Sequence, residues 1–355
     1  MRILIDIGHP GHVHLFKNFT KQMQKRGHEF LFTCRQKEFE IELLNAEGFP
    51  FKSFGSKFNT TIGKLFGLLK FDFLSVIQGL RFKPDVFMSH GSPYASHAAA
   101  VLQKPHISLE DSGNWEQMKL YLPFTGAVLT PDVLFEDLGT KQIRYRSYHE
   151  LAYLHPKYFR PTGDAATILK LRSDEKYVIL RFVSWNASHD KGHVGISDGE
   201  KSRIIDYLSG RYRVFITSEG KLPDAYLPYQ IKIAPEQMHE VLAGAEFFVG
   251  EGATMAAESG VLGIPAIYIN SIRRAYNEDQ EKYGLVFNFQ SEEGVFEKIQ
   301  ELEATKDFKK TFQDRREKLL ADKIDVTALM VWFVENYPES KTIMMENPDY
   351  QYNFK

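Results

Sequence analysis

The stretch Gly250-Glu251-Gly252-Ala253-Thr254-Met255-Ala256-Ala257-Glu258-Ser259-Gly260, continuing through Val261 to Pro265, decides how this chain is read. Ala245 to Val249 before it is an apolar run with the length of a buried strand, and Ala266 to Ile269 after it is another. Between them, small residues and Glu258 recur at helical spacing. Gly252 to Thr254 therefore stands where a parallel strand turns into a helix. Such a turn leaves backbone N–H groups unpaired at the positive end of the helix dipole, which suits a phosphate or diphosphate. Glycine and alanine let a ligand approach the backbone closely. Glu258 lies one turn beyond Thr254 on the same face, where a carboxylate can accept hydrogen bonds from ribose hydroxyls. A plainer reading stays open on this stretch alone: glycines at a strand-to-helix turn can simply make the turn.

The rest of the chain supplies the context. Its 355 residues suffice for two α/β domains. Charge is balanced, with 44 Lys and Arg against 46 Asp and Glu, so no basic excess points to nucleic acid. The single cysteine, Cys34, excludes a disulfide framework and a multi-cysteine metal site, and it reads as an inert buried thiol. Met1 to Asp6 runs into a strand without a signal-peptide pattern, and no apolar run reaches membrane-spanning length. A cytoplasmic protein is expected.

Working back to the start, Arg2 to Ile7 is a strand, Gly8 to His14 a tight loop, and a helix follows with Leu15, Phe16, Phe19 and Met23 on one face. Further strands are expected at 28–33, 51–54, 85–89, 106–109, 127–130, 177–182, 213–216 and 231–233. Strands alternating with helices predict a doubly wound parallel sheet, whose ligands bind beyond the carboxyl ends of the strands. Three histidines, His9, His12 and His14, lie within six positions at that edge. A metal site is disfavoured because no acidic or cysteine cluster stands nearby in sequence. Helix capping is the plain reading for each ring. A general base is the functional one, and His12, directly after Gly11, is the choice for it. The strand ends at His90 and at Glu110-Asp111 converge on the same edge. Either carboxylate can bond an acceptor hydroxyl, orient a histidine, or cap the next helix. Arg181, near the end of its strand, can clamp a diphosphate with its guanidinium fork or make a surface ion pair.

The segment 60–81 is apolar with lysines and arginines interspersed, among them Lys64, Lys70 and Arg81. It suits either an anionic membrane surface or an ordinary core helix with a solvated basic edge, and the core reading is preferred. Pro156, Pro161 and Gly163, with a charged run to Lys176, mark a boundary. Three parts are expected: 1–162, 163–325, and a helix and tail over 326–355 that packs back on the first part. Ile272 to Gln280 reads as a polar loop, 293–320 as a charged helix, and the tail from Pro338 as loosely held.

Two such halves, with Ile3-Leu4-Ile5-Asp6-Ile7-Gly8-His9-Pro10-Gly11-His12-Val13-His14, Glu150-Leu151-Ala152-Tyr153-Leu154-His155-Pro156 and the Gly252-to-Pro265 segment, resemble GT-B glycosyltransferases. More closely, the chain resembles an uncharacterised prokaryotic family assigned to that superfamily. Distant similarity extends to the peptidoglycan lipid-linked N-acetylglucosaminyltransferase and to UDP-N-acetylglucosamine 2-epimerases. The resemblance implies two Rossmann-like domains facing across a cleft, with a nucleotide-sugar donor in the second and a saccharide or lipid-linked acceptor in the first. It places the donor diphosphate at Gly252, Ala253, Thr254 and Met255, ribose at Glu258, the base at 233–238, and the sugar near Gln280, Asn277 and Glu278. His12 takes the position of an acceptor-side residue, with His9, His14, His90 and Glu110 around it. The superfamily generally works without bound metal, so neither metal nor other cofactor is expected. Direct displacement with inversion follows, with His12 or Asp111 as base and Arg181 against the leaving group. Peripheral attachment to the inner membrane face through 60–81 is compatible with this.

Two other classes share the donor pocket. An epimerase or hydrolase would need carboxylates such as Glu110, Asp111 and Glu278 and no acceptor. A non-catalytic nucleotide-sugar binder would need Glu258 but not His12. The chain lacks the G-x-S-x-G elbow of serine hydrolases, the Gly-Lys-Ser/Thr loop of P-loop enzymes, and a G-x-G-x-x-G turn after the first strand.

Overall fold

A computed structural model describes residues 1–56, 61–172, 174–183, 195–218 and 222–355, with backbone alone at 61, 62, 64 and 65. Lys57, the polar loop between Ser184 and His193, and Glu219 with Gly220 lie outside the described residues. The chain divides into two compact units, Met1–Tyr153 with Lys323–Lys355, and Leu154–Asp322.

Unit 1 is built on β1 (Arg2–Ile7), β2 (Glu29–Gln36), β3 (Phe51–Ser56), β4 (Val86–His90), β5 (His106–Leu109), β6 (Ala127–Pro131) and β7 (Gln142–Tyr145). These pair in parallel in the order β3-β2-β1-β4-β5-β6-β7. Ile3, Leu4, Ile5 and Ile7 of β1 have no exposed surface, as a central strand covered by helices on both faces requires. The order reverses between β1 and β4, so the crevice beyond their carboxyl ends is the expected ligand position. Unit 2 contains β8 (Tyr177–Phe182), β9 (Arg213–Ser218), β10 (Phe248–Gly250), β11 (Ala266–Ile269) and β12 (Val286–Phe289), in the order β12-β11-β10-β8-β9, again parallel. Its reversal falls between β8 and β10.

Several expectations are corrected. The 8–14 loop is short, because Pro10 presets the first turn of a helix, Pro10–Lys25, and His12 and His14 ride on that helix. Residues 231–233 form no strand; Ile231 N–H donates to Ile216 O at 2.9 Å beside a single bridge. Residues 275–281 are helical rather than loop. The helix expected over 293–320 is two, Val295–Glu303 and Phe308–Asp322, with Asp307 between them at φ 47°. The tail is packed, not loose. Glu339–Glu346 is a helix, and Tyr350 stacks on Trp332 with ring centroids 4.6 Å apart. β7 and β12 are strands that the sequence reading passed over.

The helix Thr61–Phe82 meets the core reading only in part: it packs on the core through Phe71, Val76 and Phe82 but turns four large apolar residues outward. Gly67, Phe71, Ser75 and Gly79 form its buried face. A Cβ on Gly79 would lie 2.3 Å from Leu102 Cδ1 and 3.0 Å from Phe87 Cζ, so a larger residue there would force both side chains to shift. Phe66, Leu69, Phe73 and Leu80 are 66%, 63%, 65% and 59% exposed. No helix among the described residues is long and apolar enough to cross a membrane.

Candidate functional site

In unit 1, β1 and β4 deliver their ends to the reversal point and bring two histidines together. His9 caps the Pro10–Lys25 helix, its Nδ1 accepting from Gly11 N at 3.1 Å. His12 follows, and its ring stacks on His90 with centroids 4.5 Å apart. Gly8 N–H donates to His12 Nδ1 at 3.2 Å. A ring nitrogen that accepts from a backbone amide holds its lone pair there, so in the neutral ring the proton sits on Nε2. His12 thus offers a donor, and a role as base at Nε2 runs against its geometry. His14 points elsewhere along the helix and packs on Tyr153 at 5.5 Å.

His90 leads to Asp111. His90 Nε2 donates to Asp111 Oδ1 at 2.9 Å, and His149 Nδ1 lies 3.0 Å from Asp111 Oδ2. Each carboxylate oxygen therefore serves one imidazole. Burial disfavours a charge on either Asp111 or His90. The opposing charges and hydrogen bonds override it, from His149 and His90 on the aspartate and from Asp111, then Glu110, on His90. Asp111 is held well below the usual carboxylate range and His90 is raised to about 9. His149 is buried, and its Nε2 has no hydrogen-bond partner among the described residues. The same holds for the hydroxyl of Tyr145, whose ring stacks on His149 at 6.2 Å. Orphaned buried polar atoms are rare enough to ask for an explanation. Sequence reasoning missed His149, which lies 38 positions from Asp111, just before the Glu150-to-Pro156 segment; its pairing with Asp111 is tertiary.

Glu110 was expected on the acceptor side. Its Oε1 instead accepts from Ser112 N, Ser112 Oγ and Gly113 N at 2.7, 2.6 and 3.2 Å, and Oε2 from Tyr121 OH at 2.8 Å. That carboxylate builds the turn after β5. Beneath the histidines, buried Asp6 accepts from Thr33 Oγ1 at 2.6 Å, from Arg35 Nη1 at 2.5 and 2.6 Å, and from Ser92 Oγ at 2.5 Å. It ties the ends of β1 and β2 to the cap of the helix Pro93–Val101.

His90, Asp111 and His149 are also the group of potential metal ligands among the described residues, their ligand atoms lying within 4.8 Å of one another. Two ligands about 2.1 Å from one ion are at most about 4.2 Å apart. A metal there would displace both imidazole hydrogen bonds to Asp111. The arrangement fits a hydrogen-bonded chain better.

In unit 2 the reversal point joins Arg181 of β8 to the turn after β10. Gly250 stands in register with Arg181, and a Cβ there would lie 2.5 Å from Arg181 O. A Cβ on Gly252, which caps the helix Ala253–Leu262, would lie 3.0 Å from Arg181 Cγ. The arginine stem therefore runs across the cap, and Nη1 donates to Thr217 Oγ1 at 2.7 Å. The Arg181 side chain is placed at the start of this helix, beside Gly252, which has no side chain to cap it. Two sources of positive potential thus meet at one spot. Glu251, not singled out from the sequence, is buried and accepts from Val183 N at 3.0 Å and Ile196 N at 2.8 Å. Glu258 is buried against His239, with Oε1 2.9 Å from Nε2. Gln280 was expected near the sugar. It has no exposed surface, and Nε2 donates to Ala257 O at 3.3 Å, fastening the helix Ala275–Glu281 to Ala253–Leu262. Asn277 does likewise at Ala253 O, at 3.3 Å, and Glu278 pairs with Arg273.

Residues 1–337 match the model of a family described as protein of unknown function DUF354. The chain belongs to that family. A Methanocaldococcus jannaschii protein, MJ0665, is 25% identical over 278 residues, 75% of this chain and 80% of its own length. Among solved structures, Staphylococcus aureus MnaA with UDP superposes with a TM-score of 0.69 at 10% identity, over 96% of this chain and 97% of that one. The spinosyn rhamnosyltransferase SpnG with thymidine diphosphate gives 0.59 at 15% identity, over 95% and 100%. At such identities the likeness establishes the fold. The family member described here has the GT-B type of α/β fold, shared with glycosyltransferases and UDP-N-acetylglucosamine 2-epimerases.

Proposed function

We propose that this protein transfers a sugar from a nucleoside-diphosphate sugar to a hydroxyl acceptor without a metal ion. The observation that carries the reading is the Arg181 stem laid across Gly252, which brings a cationic side chain to the N-terminus of the Ala253–Leu262 helix at the unit 2 reversal point. The occupants of structural neighbours, UDP in MnaA and thymidine diphosphate in SpnG, support a nucleoside diphosphate as ligand. The diphosphate takes the amides of residues 253–255 and Arg181, and Glu258 receives the ribose.

The acceptor belongs to unit 1. Asp111 keeps the proton of His149 on Nδ1, and the acceptor hydroxyl is the partner that buried Nε2 lacks. The hydroxyl proton passes to Nε2 as its oxygen bonds to the anomeric carbon, and the carbon–oxygen bond to the diphosphate breaks on the opposite face. The leaving electron pair stays on the diphosphate, where Arg181 and the helix amides hold the growing charge. The configuration inverts. His12 donates through Nε2–H.

Thermal shift with UDP, thymidine diphosphate and their sugars tests the donor site. Binding at 100 times Kd adds roughly 2.7 kcal/mol of stability, and Arg181→Ala should remove the shift. No shift with any nucleotide would sink the reading. A 2-epimerase is the second reading, because UDP-N-acetylglucosamine 2-epimerases superpose with TM-scores of 0.61 and 0.65, above the 0.56 and 0.59 of the glycosyltransferases SsfS6 and SpnG. Product analysis with donor alone separates the two, since an epimerase needs no acceptor. Against the epimerase stands Glu110, whose carboxylate is consumed by the turn it builds.

A further inference from the structure

The helix Thr61–Phe82 inverts the usual arrangement of a surface helix. Its buried face is Gly67, Phe71, Ser75 and Gly79, spaced by four, while Phe66, Leu69, Phe73 and Leu80 stand outward on the opposite stripe. Close packing against Phe87 and Leu102 fixes the orientation, because a Cβ on Gly79 would meet both side chains. The helix cannot roll Phe66 and Phe73 inward.

The outward stripe has neighbours. Asp72 holds His97, with Nδ1 3.0 Å from its carboxylate, and His97 Nε2 donates to Leu120 O at 3.0 Å. Phe124 sets its ring edge-on to His97 at 4.9 Å. Leu120 and Phe124, 43% and 48% exposed, therefore lie beside the helix and extend its apolar surface. Exposed Lys70, Arg81 and Lys119 are interspersed with these residues; Asp72 is paired with His97, and Glu116 is exposed one turn before Leu120. Contiguous exposed apolar surface of this kind marks an interaction site, and a cationic border selects its partner.

We propose that this face docks on an anionic lipid bilayer, with Phe66, Leu69 and Phe73 entering the headgroup boundary and Lys70, Arg81 and Lys119 meeting lipid phosphates. The apolar stripe supplies the inserted surface and the cations supply the attraction to negative headgroups. The helix follows β3 and runs back towards β4, so its Phe66 end lies at the carboxyl edge of the sheet, the edge that carries His12 and His90. A lipid-borne hydroxyl acceptor fits that placement, a corollary that rests on the transfer reading; the docking itself does not.

Flotation of the full chain with vesicles tests the docking, with no nucleotide present. Vesicles of phosphatidylcholine with phosphatidylglycerol should carry the protein upward, and phosphatidylcholine alone should not. Lys70→Glu and Arg81→Glu should each weaken binding by about five-fold or more, and Leu69→Glu with Phe73→Glu should abolish it. Both apolar positions are exposed, so the melting temperature should hold and confirm that the variants fold. No flotation of the wild type at low salt overturns the proposal. So does a dimer in light scattering that Leu69→Glu with Phe73→Glu dissolves, without vesicle binding, for the face would then be a contact between copies. Failure here leaves the nucleotide thermal shift unaffected, and the reverse also holds.

Discussion

Asp111 shows how much a single carboxylate can organise. It holds one imidazole on each oxygen, and it keeps His90 protonated through neutral pH. Asp111→Asn should return the His90 titration from about 9 towards its ordinary value, read by histidine NMR. If transfer runs as described, His149→Ala should lower kcat by roughly 100-fold or more, the usual worth of a positioned general base, with Kd for the nucleotide unchanged. Removing metal with EDTA should leave turnover intact, and metal analysis of the purified protein should find no stoichiometric ion. Buried Asp6 makes a structural counterpart: Asp6→Ala strands Arg35 and should cost roughly 3–5 kcal/mol in denaturant unfolding. Little of this was legible in the sequence. Asp111 stood out because it ends a strand, but its partner His149 and the Asp6 web depend on strands meeting in space. Glu110 was misread because a turn-building carboxylate and a catalytic one look alike until their hydrogen bonds are counted.

At the level of elements, the two strands β4 and β5 carry opposite pH dependences. His106 at the start of β5 is bonded to Ser89 Oγ and Thr125 Oγ1, and burial, then the charge of His97, lower it to about 3. A folded value below the unfolded one contributes stability above about pH 6.5, lost as pH falls towards 3. His90 has the reverse sign: its contribution is full below about pH 6.5 and is lost as pH rises through 9. Melting temperature should therefore peak near neutral pH, and His90→Gln should flatten the alkaline limb while sparing the acid one. Gly250→Ala would press a methyl into the β8 backbone and should destabilise unit 2 by roughly 1–3 kcal/mol. Strand–helix alternation and the Gly252 turn were readable because apolar runs and small residues are local signals. The short strands β7 and β12 and the packed tail were not, since polar residues interrupt them and their burial comes from distant partners such as Trp332.

For the whole molecule, the division into units fixes which fragments can stand alone. Unit 1 needs its C-terminal segment: Thr327 Oγ1 donates to Ala152 O at 2.9 Å, Ser147 Oγ to Ile324 O at 2.9 Å, and Lys341 Nζ to Gly126 O at 2.9 Å. A fragment of residues 1–153 should remain partly unfolded, with dispersed NMR signals restored when 323–355 is supplied. Residues 154–322 form a continuous unit and should unfold cooperatively alone. This split has a consequence during synthesis. The N-terminal sheet leaves the ribosome first yet waits for the last helices, while roughly 170 intervening residues, at about 5–20 residues per second, take some ten to thirty seconds to emerge. The face of the Pro10–Lys25 helix and the β7 edge that those last helices cover stay open for that interval, so nascent chains stalled before residue 323 should bind chaperones that the finished protein ignores.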